Sequence, residues 1–70
     1  MNPYVRRRGP YRGELGDAVR MLGSRPCYPY IIRADATEEV LVEGYAGGVE
    51  EAVQTIDLYL DYFIHQAPAA

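Results

Sequence analysis

The chain has no lysine, one cysteine, one histidine and no long apolar run, and each shortage excludes something. A single cysteine, Cys27, leaves no intramolecular disulfide. Cys27 and the single histidine, His65, do not supply the Cys/His ligands of a four-coordinate metal site. No metal and no cofactor is therefore expected. No stretch approaches the roughly 18 apolar residues of a membrane-spanning helix. The first arginines are followed by no apolar segment of the secretory kind. The expectation is a cytoplasmic protein in a reducing compartment, with no membrane partner.

What is present suits a small globular domain. Seventy residues, 49% hydrophobic and 24% charged, make one domain with a modest core. A chain of this size buries only about 60% of its unfolded surface, so good packing or self-association has to supply the rest of its stability. A homodimer, through a sheet edge or a helix face, is open to such a chain.

The charges are segregated. Residues 1–25 hold six arginines against Glu14 and Asp17, a balance of +4; Arg33 adds one. Residues 34–70 hold eight acids and no base, which gives the net −3. Such asymmetry marks an interaction segment. Tyr4, Arg6, Arg7, Arg8, Tyr11 and Arg12 interleave arginine with tyrosine, a pairing suited to phosphate and to unpaired bases. Three destinations are open to this segment: its own or a neighbouring copy's acidic half, an acidic protein, or nucleic acid. A body charge of −8 opposes the last.

Along the chain, Pro3, Gly9, Pro10 and Gly13 break regular structure, and residues 1–12 read as a flexible Arg/Tyr-rich arm with a short strand around Tyr4–Arg8. Residues 13–66 form the single α+β domain and 67–70 a frayed tail. Leu15, Ala18, Val19 and Leu22 fall at helical spacing and predict a short N-terminal helix over 13–23. Residues 25–35 and 38–45 read as two strands joined by a short turn, an antiparallel hairpin or the centre of a small sheet. Alternation sets Tyr28, Tyr30 and Ile32 on one face, with Val40 and Val42 opposed to Leu41, Glu43 and Tyr45. Val49, Ala52, Val53, Ile56, Tyr59, Leu60 and Phe63 mark one stripe of a long helix over 47–66, which should pack across the sheet.

No set of side chains points to catalysis. Cys27 and His65 have no third group to orient them, and Gly44, Gly47 and Gly48 lack the lysine of a phosphate loop. The chain is read as non-enzymatic. On the back of the long helix, Leu58 and Tyr62 form a small apolar patch, flanked by Glu50, Asp57 and Asp61. Single exposed apolar residues are ordinary; a pair one turn apart beside a row of acids also suits a partner-binding face. The sequence thus reads as a small protein-binding module that occupies a surface of a larger partner. An inhibitor of a nucleic-acid-binding complex, for example a phage-encoded anti-defence protein, would work in this way. The alternative is a nucleic-acid accessory protein that uses the arginine segment.

Overall fold

The computed structural model describes residues 4–20 and 25–66. Its elements are β1 (Tyr4–Arg8), β2 (Tyr11–Leu15), β3 (Val19–Arg20), β4 (Pro26–Ala34), β5 (Val40–Ala46) and α1 (Val49–Gln66). All strand pairs are antiparallel: β1 with β2, β2 with β4, and β4 with β5. β3 meets the start of β4, Val19 opposite Cys27, and the Gly16 N–H donates to the Pro29 carbonyl at 2.8 Å between these two pairings. The fold is α+β: five strands and a C-terminal helix that packs across β2 and β4.

One sheet face is built for that helix. Ile32, Leu15 and Ala46 are buried against Ala52, Ile56 and Leu60, with Tyr4, Tyr11, Tyr28, Tyr30, Val42, Val53, Tyr59 and Phe63 around them. Gly13 lies opposite Ile32 in the register. A Cβ at Gly13 would overlap the Ile56 side chain, so the missing side chain is what brings the helix this close. Tyr28, Tyr30 and Ile32 share the helix side of β4, as alternation predicts.

The N-terminal helix expected over 13–23 is not formed by the described part of that stretch. Residues 13–15 belong to β2 and 19–20 to β3; residues 21–23 lie outside the described residues. Leu15 is buried, whereas Ala18 and Val19 are exposed, so the helical stripe dissolves. Two causes act together. Gly13 and Gly16 each disfavour helix by about 1 kcal/mol. Gly13 and Leu15 also alternate with Arg12 and Glu14, and pairing with β4 rewards that two-residue period.

Residues 4–8, where a short strand was expected inside an arm, are β1 at the edge of the sheet, and residues 11–12 open β2. The connection is tight: Gly9 takes the left-handed φ of +56°, and Ile64 of α1 packs beneath it. The tail over 67–70 lies outside the described residues.

A bulge corrects the expected alternation in β5. Ile32 pairs with Val42 but Arg33 pairs with Val40, so Leu41 is the extra residue. Val40 therefore shares the side of Tyr45, away from the helix, and not that of Val42. The helix stripe runs as expected except at Val49, which is 49% exposed at the first turn. Gly47 donates its N–H to Glu51 at 3.0 Å, which fastens that N-terminus.

Gly13→Ala should lower the unfolding free energy by about 1–3 kcal/mol through overpacking against Ile56. Urea denaturation checks this; an unchanged midpoint would mean the helix yields at no cost.

Candidate functional site

The arginine segment and the acidic half meet each other within the chain. β1 lies beside one flank of α1, and its alternate residues face the helix. Arg6 Nε lies 3.3 Å from Asp57 Oδ1, and Arg8 pairs with Asp61. Two of the three carboxylates on the expected acidic face are thus paired with two of the arginines, the first of the three destinations open to that segment. Glu50 is exposed and makes no ion pair among the described residues. The Asp57–Arg6 contact is an ion pair without good hydrogen-bond geometry, and Asp57 Oδ1 accepts no hydrogen bond among the described residues.

Arg7 and Arg12 face the other side of the sheet. Arg12 is only 9% exposed. All three of its nitrogens donate: Nε to Glu14 Oε2 at 2.7 Å, Nη1 to Asp35 Oδ1 at 2.7 Å, and Nη2 to Glu38 Oε1 at 2.6 Å and Oε2 at 2.7 Å. Arg33 adds a 3.4 Å contact to Glu14, and Arg7 a 3.6 Å contact to Asp35. Three arginines and three carboxylates balance to zero charge across β1, β2, β4 and the β4–β5 turn.

That network fixes the turn. Glu38 takes a left-handed φ of +64°, an unfavourable conformation for a residue with a side chain. The Glu38 N–H donates to the Ala34 carbonyl at 2.8 Å, while its carboxylate is held by Arg12. The Arg12 hydrogen bond, and then the charges of Arg12, Arg33 and Arg7, lower the Glu38 pKa from its ordinary 4.5; partial desolvation opposes them. The Arg12 cation is stabilised in turn, chiefly by Glu38 and then Glu14.

The tyrosines divide in two. Tyr4 and Tyr11, expected to bind a partner, pack against the core, and Tyr11 lies 5.4 Å from the Phe63 ring. Tyr30 lies 6.3 Å from Tyr59, and Tyr59 lies 6.4 Å from Phe63. Burial, then Tyr59 and Glu51, raise the Tyr30 pKa and keep its phenol neutral. Tyr45 and Tyr62 remain outside, 58% and 57% exposed.

The Leu58/Tyr62 patch does stand in solvent. Leu58 is 70% exposed, and with Thr55, Tyr59 and Tyr62 it lines a shallow apolar groove on the flank of α1 opposite β1. Tyr62 meets Phe63 edge-on at 5.4 Å, which ties the patch to the core. Sequence reasoning missed Tyr45 and Val40, which stand exposed together on the opposite face of β5. The bulge that aligns them carries no turn residue to betray it.

Cys27 and His65 are placed apart. Cys27 is at the start of β4; His65 is in the last turn of α1, whose neighbours Phe63 and Ile64 reach Tyr11 and Gly9 by the far end of β4. Among the described residues no group of three His, Cys, Asp or Glu side chains could hold a metal ion, and no helix is long and apolar enough to cross a membrane. No protein-family model, curated protein or solved structure matches this chain.

Because the folded Glu38 pKa lies below its unfolded value, the unfolded chain takes up more protons as pH falls through that interval. The stabilisation is complete above about pH 4.5 and is lost as pH drops through the folded pKa. In acid titrations of Tm, wild type should therefore fall more steeply than Glu38→Gln below that point. Arg12→Met should lower Tm by several degrees, and Arg20→Met, at an exposed position, should not; equal shifts would refute the role given to the cluster.

Proposed function

We propose that this chain is a non-enzymatic protein-binding module that works by occupying a surface of a larger partner. The observation that carries this reading is the exposed apolar groove of Leu58 and Tyr62, braced from beneath by Tyr59 and Phe63. A braced tyrosine beside an exposed leucine offers apolar area and a hydroxyl at low entropic cost. Glu50, Asp57 and Asp61 border the opposite flank and suit a partner whose surface is basic. Since Asp57 and Asp61 already balance Arg6 and Arg8, apolar contact leads and charge assists.

The same ion pairs weigh against nucleic acid as the principal ligand. A phosphate would have to displace carboxylates from Arg6, Arg7, Arg8 and Arg12, and the acids so released would repel it. The separation of Cys27 from His65 supports the non-enzymatic reading.

Pull-down from cell extract with wild type and with Leu58→Glu/Tyr62→Glu tests the proposal. The partner should be retained by wild type and lost by the variant, with circular dichroism unchanged. Fluorescence anisotropy with labelled single-stranded RNA and duplex DNA, at low and near-physiological salt, should stay flat. Salt-sensitive nucleic-acid binding that Arg7→Ala/Arg8→Ala removes would overturn the reading.

A further inference from the structure

The two edges of the sheet differ. The β1 edge carries Arg6, Arg7 and Arg8 in succession, each paired with an acid, and a charged edge discourages the addition of another strand. The β5 edge, Val-Leu-Val-Glu-Gly-Tyr-Ala over 40–46, has no proline, lysine or arginine. Among the described residues nothing pairs with its outer side. An uncovered apolar edge strand is a template for another strand.

Exposed apolar side chains gather at this same edge. Seven large hydrophobic residues are exposed among those described, and four of them flank β5. Tyr45 and Val40 stand on the helix-free side, opposite Pro29 and Arg33 in the register. Leu58 and Tyr62 stand on the helix side, on the flank of α1 away from β1.

We propose that β5 pairs antiparallel with β5 of a second copy, giving a two-fold dimer with one continuous sheet and both helices on the same face. The inference rests on the protein-binding reading only in sharing the Leu58/Tyr62 flank; it assigns that flank a first occupant.

Geometry and charge both favour a second copy. A two-fold axis normal to the sheet sets residues of like face opposite each other. Centred on Gly44, it places Val42 opposite Ala46 and Glu43 opposite Tyr45 of the second copy. Centred on Glu43, it would face two carboxylates, an unfavourable pair. Since α1 lies across β2 and β4, the paired helices would stand roughly four strand spacings, about 19 Å, apart. A helix with its side chains is about 10 Å across, so Leu58, Tyr59 and Tyr62 from both copies would fill the remaining gap of about 9 Å. The cationic β1 edges then face outward, so pairing closes at two copies and does not run on as a fibre.

Sedimentation equilibrium of the full chain, with hydrogen exchange on the same samples, tests this. Wild type should have twice the 7.9 kDa chain mass, and the amides of β5 should exchange slowly. Tyr45→Glu leaves Leu58 and Tyr62 untouched and sets a second carboxylate opposite Glu43 of the other copy; it should weaken self-association by more than about tenfold and speed exchange in β5 while β2 and β4 stay protected. A wild type that is monomeric at millimolar concentration would overturn the inference. So would a wild-type dimer whose β5 amides exchange fast, or a dimer that Tyr45→Glu leaves intact. Partner capture is read separately: loss on Leu58→Glu/Tyr62→Glu, with retention by Tyr45→Glu, keeps the protein-binding reading whatever the mass.

Discussion

The arrangement depends on charge compensation between the first two strands and the acidic remainder of the chain. Arg12 is the centre of it. A nearly buried guanidinium on the uncovered side of a sheet is tolerable only when it is well hydrogen-bonded, and Glu14, Asp35 and Glu38 accept from all three of its nitrogens. Glu14 comes from β2, and Asp35 and Glu38 both come from the β4–β5 turn. One side chain therefore ties β2 to both ends of that turn and holds Glu38 in its left-handed conformation. The outer pairs, Arg6–Asp57 and Arg8–Asp61, differ in weight. Both are substantially exposed, and such pairs contribute little to stability. Their effect is directional: they set β1 along one flank of α1 and so leave the other flank uncovered.

The uncovered flank follows from the same geometry. A single helix of about 10 Å width does not span a sheet of four strand widths at about 4.8 Å each. α1 lies over β2 and β4, where Gly13 lets Ile56 approach. The β1 flank is bridged by arginines long enough to reach the helix. On the β5 side Val42, Gly44 and Ala46 offer small or partly buried side chains, and the helix answers with Tyr59 and Tyr62. The aromatic run from Tyr11 through Phe63 and Tyr59 to Tyr30 fills what a wider layer would have covered.

Legibility from the sequence followed the strength of the local period. The long helix was readable because its apolar spacing persists over five turns, and Ala52, Ile56 and Leu60 are indeed its buried line. The β4–β5 hairpin was readable from its composition and short turn. The stretch around Leu15–Val19 was not, because apolar residues at helical spacing occur there, and of the three among the described residues only Leu15 is buried. The decisive signal was the alternation of Gly13 and Leu15 with Arg12 and Glu14, and its value depends on β4, twenty residues away. The candidate site was half legible. Leu58 and Tyr62 are exposed as the helical wheel predicts, whereas Val40 reaches the side of Tyr45 only through the bulge at Leu41.

The segregation of charge that left three destinations open to the arginine segment has a further consequence once the fold is in place. It makes the two edges of one sheet unlike. Arginines occupy the edge that adjoins the acidic helix flank, where their charge is both balanced and obstructive to further pairing. Acids and apolar residues occupy the other edge, with Glu43 the only charge within β5. A sheet with two apolar edges invites indefinite growth, and one with two charged edges invites none. One of each confines association to a single side. In the proposed dimer the cationic segment directs association without entering the contact, by closing the edge on which it lies.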